Sequence, residues 1–312
     1  MGAVVFAASP LTPTAPVAPA RIGLGHVLTG WDGSVWDLMD PTSPVILLSA
    51  AASTGYTVTG LGESAATRWS SSAPYVPGSR YRGTQILERP VVLHVGVQAG
   101  SPADWVALDR AFRAIMRRDK PMTYTVTLPG VGVFSLTCRF NGQPLAFDTM
   151  SAVQGFAEYD VTLVADEHPY WQGDPITALF TTATTANFIP SGGGPPFTIS
   201  QGSTMSSASI TNHGDVDAWP VWTFNGPFTS ISTTVGGSTV GVTPALVSGD
   251  VLVIDTNPRV QSAVLNGTRV RGIVSPHNFA PIPAGASTPI TFAWVGTGSA
   301  SVSITPLFEN LL

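Results

Sequence analysis

The sequence predicts a mainly β protein built from two domains. Three observations lead there. A chain of 312 residues has room for two domains at ~150 residues each. Its 32 glycines and 27 prolines, with abundant Ser and Thr, supply many turns. Apolar residues alternate with Ser and Thr over short runs, the period of a strand with one buried face. Charged residues make up 11% of the chain, under half the usual ~25%, so much of the outer surface is neutral and suited to cover by other subunits. Of 14 Lys and Arg, 11 precede Tyr159 and 3 follow Pro175, which marks a change of composition between two halves.

The chain opens with Pro10, Pro13, Pro16 and Pro19 at intervals of three, so residues 1–20 read as an extended, polyproline-like arm. The apolar run Gly2–Ala8 has no Lys or Arg before it and lacks the positive start of a signal peptide. A first domain is expected over 21–174, a linker or edge segment over 175–208, and a sandwich over 209–312. No run of about 18 apolar residues occurs, so no membrane partner is expected. A single cysteine, Cys138, rules out an internal disulfide framework and fits a reducing cytosol. A net charge of −5 gives no basic footprint for nucleic acid.

In the first half, Gly30–Leu38 reads as a hairpin turning at Asp32-Gly33. Val45–Leu48 is a short buried strand, and Tyr56 and Val58 precede the break Gly60-Leu61-Gly62. Gly60-x-Gly62-x-x-Ala65 has the outline of a dinucleotide loop but lacks the following helix and the acidic residue about 20 positions on, so it reads as a plain loop. Arg68–Arg82 is rich in Ser, Pro and Gly and reads as a long loop holding two Arg–aromatic pairs. They suit contact with a neighbouring subunit, or a solvated loop whose Arg stems cover apolar surface. Arg89–Val97 follows as a strand.

One helix is expected, Ser101–Lys120. Ser101 is the N-cap, Pro102 opens the first turn, and Trp105, Leu108, Phe112, Ile115 and Met116 form one stripe. Arg113, Arg117, Arg118 and Lys120 gather where cations suit the helix dipole, although such a cluster could also hold a phosphate. Met122–Leu128 and Val131–Phe140 form a hairpin about Pro129-Gly130, with Cys138 buried, and Phe147–Gln154 is a polar connection. Tyr159, Val161 and Leu163 alternate in a last strand before a turn at Asp166–Pro169 and the ring pair Tyr170–Trp171.

Beyond it, Thr181–Ser209 reads as a linker that could hold an edge strand at Phe188, Ile189, Phe197 or Ile199. Short strands then recur every 8–12 residues, the signature of a sandwich. They are expected at Ser209–Asn212, Ala218–Phe224, Phe228–Ser232, Val251–Asp255, Val260–Leu265, Thr268–Val274, Ile290–Val295 and Ser301–Pro306.

No catalytic constellation is present: there is no G-x-S-x-G elbow, H-E-x-x-H, EF-hand loop or P-loop. Asp166-Glu167-His168 and His213-x-Asp215-x-Asp217 carry metal-ligand residue types but read as turns. Catalytic, cofactor and metal residues are therefore expected to be none, and the chain is not expected to be an enzyme. Trp219, Trp222 and Trp294 could stack on a sugar, although a sandwich-core Trp is the commoner case. Trp219, Trp222 and His277 are the glycan-contact candidates.

The order of several short motifs resembles a known family. These are the Trp31-Asp-Gly-Ser-x-Trp36 hairpin, Pro77-Gly-Ser-Arg-Tyr-Arg-Gly83, Ser101-Pro-x-Asp-Trp105, and a strand ending Ala165-Asp-Glu-His-Pro-Tyr-Trp171. Asn212-His-Gly-Asp215, Gly249-Asp-Val-Leu-Val-Ile-Asp-Thr256 and Phe279-Ala-Pro-Ile-Pro-Ala-Gly285 follow. Over residues 22–308 the chain resembles the distal tail protein (Dit) family of long-tailed bacteriophages, especially those of actinobacteria. The resemblance implies a split-barrel belt domain and a galectin-like or carbohydrate-module-like C-terminal sandwich. It implies a homohexameric ring at the tail tip that joins the tail tube protein to the tail-associated hub protein, with the tape measure protein as a further candidate partner. It implies assembly in the bacterial host cytoplasm and no family catalytic residues. The expected subunit contacts are Arg68, Trp69, Tyr75, Arg80, Tyr81, Arg82, Tyr170 and Trp171. The alternative is a carbohydrate-binding protein whose sandwich reads host-surface glycan. The Pro-rich arm has no counterpart in the resemblance.

Overall fold

The computed structural model describes residues 24–48, 58–75, 77–142, 149–181, 207–243 and 245–311. The expected N-terminal arm, Tyr56, Phe147 and the apolar positions Phe188, Ile189, Phe197 and Ile199 lie outside them. The chain divides into two compact units. The first runs to Trp171 and takes in the residues from Glu309 on; the second spans Gln172–Phe308. The division thus falls three residues before the expected boundary at 174, and the chain's end belongs to the first unit rather than to the sandwich.

The first unit begins with β1 (Gly25–Thr29) and β2 (Val35–Asp37), an antiparallel pair about the expected turn. Gly33 takes φ +83 there. The strands β3 (Val45–Leu47) and β4 (Val58–Thr59) are short, and β5 (Ala66–Ser71) and β6 (Arg80–Ile86) pair only with each other. The long strand β7 (Arg89–Gln98) leads into helix α1 (Pro102–Ile115). Then come β8 (Met122–Leu128), β9 (Gly132–Phe140), helix α2 (Thr149–Gln154), β10 (Phe156–Ala165) and β11 (Trp171–Gln172).

The main sheet runs β2-β1-β8-β9-β10-β7-β3. β8 pairs along its whole length with Gly132–Cys138 of β9, and β7 and β10 pair along theirs, but β9 meets β10 only at Leu163↔Phe140 and Val164↔Arg139. Its two edges approach each other, where Leu47 N donates to Leu38 O at 2.8 Å. The sheet is therefore a nearly closed barrel, split where β9 and β10 diverge. Strict alternation puts Met122, Tyr124, Val126 and Leu128 of β8 inward, with Leu136 and Cys138 of β9.

Two helix expectations change. α1 stops at Ile115, because Met116 leaves helical geometry at φ −80, ψ 65. Arg117 lends its carbonyl to Phe140 N instead, so Arg117, Arg118 and Lys120 lie past the helix and do not crown its end. α2 occupies part of what reads as a polar connection; six residues are too few to carry an apolar stripe that would announce it. At the start of α1 the Ser101 hydroxyl accepts from Asp104 N and donates to the Asp104 carboxylate at 2.6 Å, a reciprocal cap.

The second unit contains β12 (Ile176–Thr181), β13 (Ser207–Thr211), β14 (Val221–Asn225), β15 (Phe228–Val235), β16 (Ser238–Val242) and β17 (Val251–Asp255). It continues with β18 (Ser262–Leu265), β19 (Thr268–Val270), β20 (Val274–His277), β21 (Ser287–Gly296), β22 (Ser299–Ile304) and β23 (Leu307–Phe308). One sheet orders β12-β22-β14-β17-β18-β19, the other β13-β21-β15-β16-β20. Their facing sides bury Phe180, Trp222, Phe224, Phe228 and Phe292, with Phe224 and Phe292 centroids 5.9 Å apart. This is the expected sandwich. The strand read over Thr268–Val274 is in fact two strands in different sheets, because the chain crosses over at Arg271–Ile273 after a positive φ at Gly272.

Candidate assembly interface

The two ends of the expected long loop Arg68–Arg82 lie in the strands of the β5–β6 hairpin, and the loop itself shortens to the segment between Ser71 and Arg80. Ala66↔Ile86 through Ser71↔Arg80 pair antiparallel, with a bulge between Trp69 and Ser70. Sequence pattern hid these strands, because Ser, Arg and Gly occupy positions where β-branched residues would announce them. Nearly every side chain is exposed: Trp69 is 56% accessible, Tyr81 54%, and Tyr75 at the tip is fully so. Tyr75 takes φ +64, a left-handed geometry rare for an aromatic residue. The Arg68 guanidinium lies 5.4 Å from the Tyr81 ring centroid, the Tyr81 hydroxyl bonds Thr84, and Arg82 Nε donates to Ser71 Oγ at 2.9 Å. The hairpin carries three arginines, Arg68, Arg80 and Arg82, and no carboxylate between Ala66 and Ile86. It thus gathers six of the eight expected contact residues on one projecting element.

The other two sit elsewhere. Tyr170 is half-buried, and Trp171 is wholly buried in the first unit, so Trp171 is corrected to a core residue. Its ring packs 5.8 Å from Tyr124 and under the Arg89 guanidinium. Arg89, at 1% exposure, is the buried cation that sequence reading passed over. Its Nε donates to Pro169 O, its Nη1 to Gly60 O and Gly62 O, and its Nη2 to Glu309 O at 2.7 Å. Burial pulls this guanidinium below its ordinary value, against the opposing pull of Glu309 and Tyr170. The glycines that outline a dinucleotide loop therefore offer their carbonyls to a cation, and no helix follows them. Gly60 holds φ +89 where a Cβ would run into the Pro90 carbonyl.

α1 is fixed to the barrel by a second polar set. Asp109 is 3% exposed on an otherwise apolar stripe. It accepts from Arg113 Nε at 2.7 Å and from the Tyr159 hydroxyl at 2.7 Å, while Arg113 Nη2 donates to that hydroxyl at 2.9 Å. Burial, then the Asp109 bond, push the Tyr159 phenol up to about 12. Burial opposes the Arg113 charge, but its bonds to Tyr159 and Asp109 outweigh it and the value is raised. Trp105 Nε1 donates to Val97 O and Trp31 Nε1 to Ala114 O, which seats the helix at both ends.

Among the other candidates, Asp166 and Glu167 pair with Arg139. Among the described residues no group of three His, Cys, Asp or Glu is placed to hold a metal. Trp222 is wholly buried in the sandwich core and is corrected from a glycan contact to a packing residue. Trp219 and Trp294 are half-buried, and His277 is exposed at the edge strand β20.

No family model matches the sequence, and neither does any curated protein. Solved structures do match. The crystal structure of the SPP1 Dit protein, described as a paradigm of the hub adsorption apparatus in phages infecting Gram-positive hosts, aligns over 91% of this chain and 99% of its own with a TM-score of 0.60 at 14% identity. A chain of the phage P2 baseplate in its activated conformation with Ca aligns over 93% of this chain and all of its own, with a TM-score of 0.55 at 12% identity. The same baseplate with Sr gives 0.52 at 11%. From split barrel to sandwich, this chain has the fold of the SPP1 distal tail protein.

Proposed function

We propose that this protein is a structural component of a phage tail tip, a closed ring of identical subunits that joins the tail tube to the baseplate hub. The observation that carries the reading is the β5–β6 hairpin. An isolated two-stranded hairpin is marginal in water, and this one projects three aromatic rings and three arginines without a carboxylate. Such a surface suits burial against a neighbouring copy, since interfaces concentrate Tyr, Trp and Arg. A hairpin seated on a different patch of the next copy makes a heterologous contact, which closes into a ring where the rotation between copies allows it. The Dit fold and the low charge content support the same reading.

Six copies are the proposed number, assembled in the bacterial cytoplasm and carried at the virion tail tip. The tail tube, hub and tape measure proteins are the proposed neighbours. Arg68, Trp69, Tyr75, Arg80, Tyr81 and Arg82 are the proposed contacts, with Tyr170 at the margin. The role is non-catalytic and calls for no cofactor. The test is the solution mass of the purified chain: six times the single-chain mass supports a hexamer, and Trp69→Ala with Tyr81→Ser should release folded monomers. A wild-type protein that stays monomeric at tens of micromolar overturns the reading.

A further inference from the structure

The sandwich has a basic cavity built from its own residues. It opens where the edge strand β19 of one sheet and the edge strand β20 of the other are joined by Arg271–Ile273. Its volume is about 260 Å³. Between Gln172 and Phe308 the chain has only three cationic side chains besides histidine, Arg259, Arg269 and Arg271, against five carboxylates. Two of the three, with His277, line this one cavity, and no carboxylate does. The clustering is therefore local, in a unit that is acidic as a whole.

The arginines are free to act. Among the described residues Arg269 makes only long bonds, of 3.3 and 3.4 Å, to the carbonyls of Val260 and Gln261. Arg271 is exposed and makes no hydrogen bond or ion pair among the described residues. A guanidinium left without an acceptor beside a second one is a fork for an oxyanion, bound through two parallel N–H donors. The lining also holds two rings: His277 and the half-buried Phe279, with centroids 6.4 Å apart and planes tilted by 56°. Gln261 and Ser262 add an amide and a hydroxyl that can bond other hydroxyls.

We propose that this cavity binds an acidic saccharide, one sugar ring carrying a phosphate or a carboxylate. The oxyanion sits on Arg269 and Arg271, and the apolar face of the ring lies against Phe279 and His277. The size agrees, since drug-sized ligands occupy roughly 300–1,000 Å³ and this cavity is just below that range. Nucleic acid is the poorer fit, because a polyanion would meet the net negative charge of the unit beyond the cavity.

The test is calorimetric titration of the full chain with glucose 1-phosphate, glucuronate, methyl glucoside and inorganic phosphate. The two acidic sugars separate phosphate from carboxylate as the preferred group. At least one should bind, with methyl glucoside and inorganic phosphate about tenfold weaker or more, the worth of one lost charge-assisted bond or of the ring contact. Arg269→Ala with Arg271→Ala should lose that affinity by about tenfold or more while melting at the wild-type temperature; both side chains are exposed, and Arg271→Ala alone serves if the pair perturbs folding. Absence of binding by both acidic sugars, unchanged affinity in the variants, or inorganic phosphate binding as well as the sugars would each overturn the proposal. Oligomeric mass is read separately, so a ring that forms without binding sugar refutes this inference alone.

Discussion

Arg89 shows how one residue can organise a chain. Four carbonyls from three separate segments converge on its guanidinium. Arg89→Met should therefore cost about 3–5 kcal/mol of unfolding free energy, the penalty of stranding buried polar groups. Arg89→Lys should recover only part, because an ammonium lacks the fork to reach all four. Denaturant titration of both variants checks the order. Titration of buried groups gives a second prediction. Burial pushes the Cys138 thiol up to about 12, and Tyr159 also stands at about 12. Both are neutral when protonated, so the folded state favours the proton more than the unfolded state does. Their contribution is complete below the unfolded values of about 8.5 and 10 and drains away as pH rises toward 12. Melting temperature should fall steadily above about pH 9, and Tyr159→Phe should flatten the upper part of that fall.

At the scale of elements, the helix and the hairpin give opposite expectations. Ser101→Ala removes a reciprocal cap and should cost about 1 kcal/mol. Asp109→Ala should cost more, about 3 kcal/mol, because it removes the buried carboxylate that accepts from both Arg113 Nε and the Tyr159 hydroxyl. Trp69→Ala and Tyr81→Ser should leave the melting temperature of the isolated chain nearly unchanged, since exposed residues contribute little to it. What was legible in advance follows the same division. The β8–β9 hairpin, β7, β10 and α1 announce themselves because half-buried elements need a regular apolar period, and Trp105, Phe112 and Ile115 supply one. β5 and β6 are silent because nothing in their own chain buries them, so no period is imposed. Asp109 and Arg89 were invisible for another reason. A polar side chain in a core is justified by partners far along the sequence, 50 residues for Asp109–Tyr159 and 220 for Arg89–Glu309. The two cavity arginines were nearly legible, as two of only three in the second half, one residue apart; only the sheet crossover at Arg271–Ile273 shows that they share a cavity.

For the whole molecule, neutrality is the dominant trait. With 11% charged residues and a net charge of −5, the protein offers DNA no continuous cationic track. It should leave the mobility of duplex DNA unchanged at physiological salt, even though its hairpin is locally cationic; a salt-sensitive shift in a gel assay would contradict this. The second unit is also bracketed in sequence by the first. The chain quits the first unit at Trp171 and re-enters it at Glu309, and the carbonyls of Pro169 and Glu309 lie 2.5 and 2.7 Å from nitrogens of the same guanidinium. Departure and return points held by one side chain make the intervening 137 residues (172–308) a cassette. A short glycine-serine splice from Gln172 to Phe308 should preserve the barrel, and a foreign module of any size whose ends lie close together should be accepted in its place. What the second unit meets is thereby exchangeable without redesign of what holds the first together.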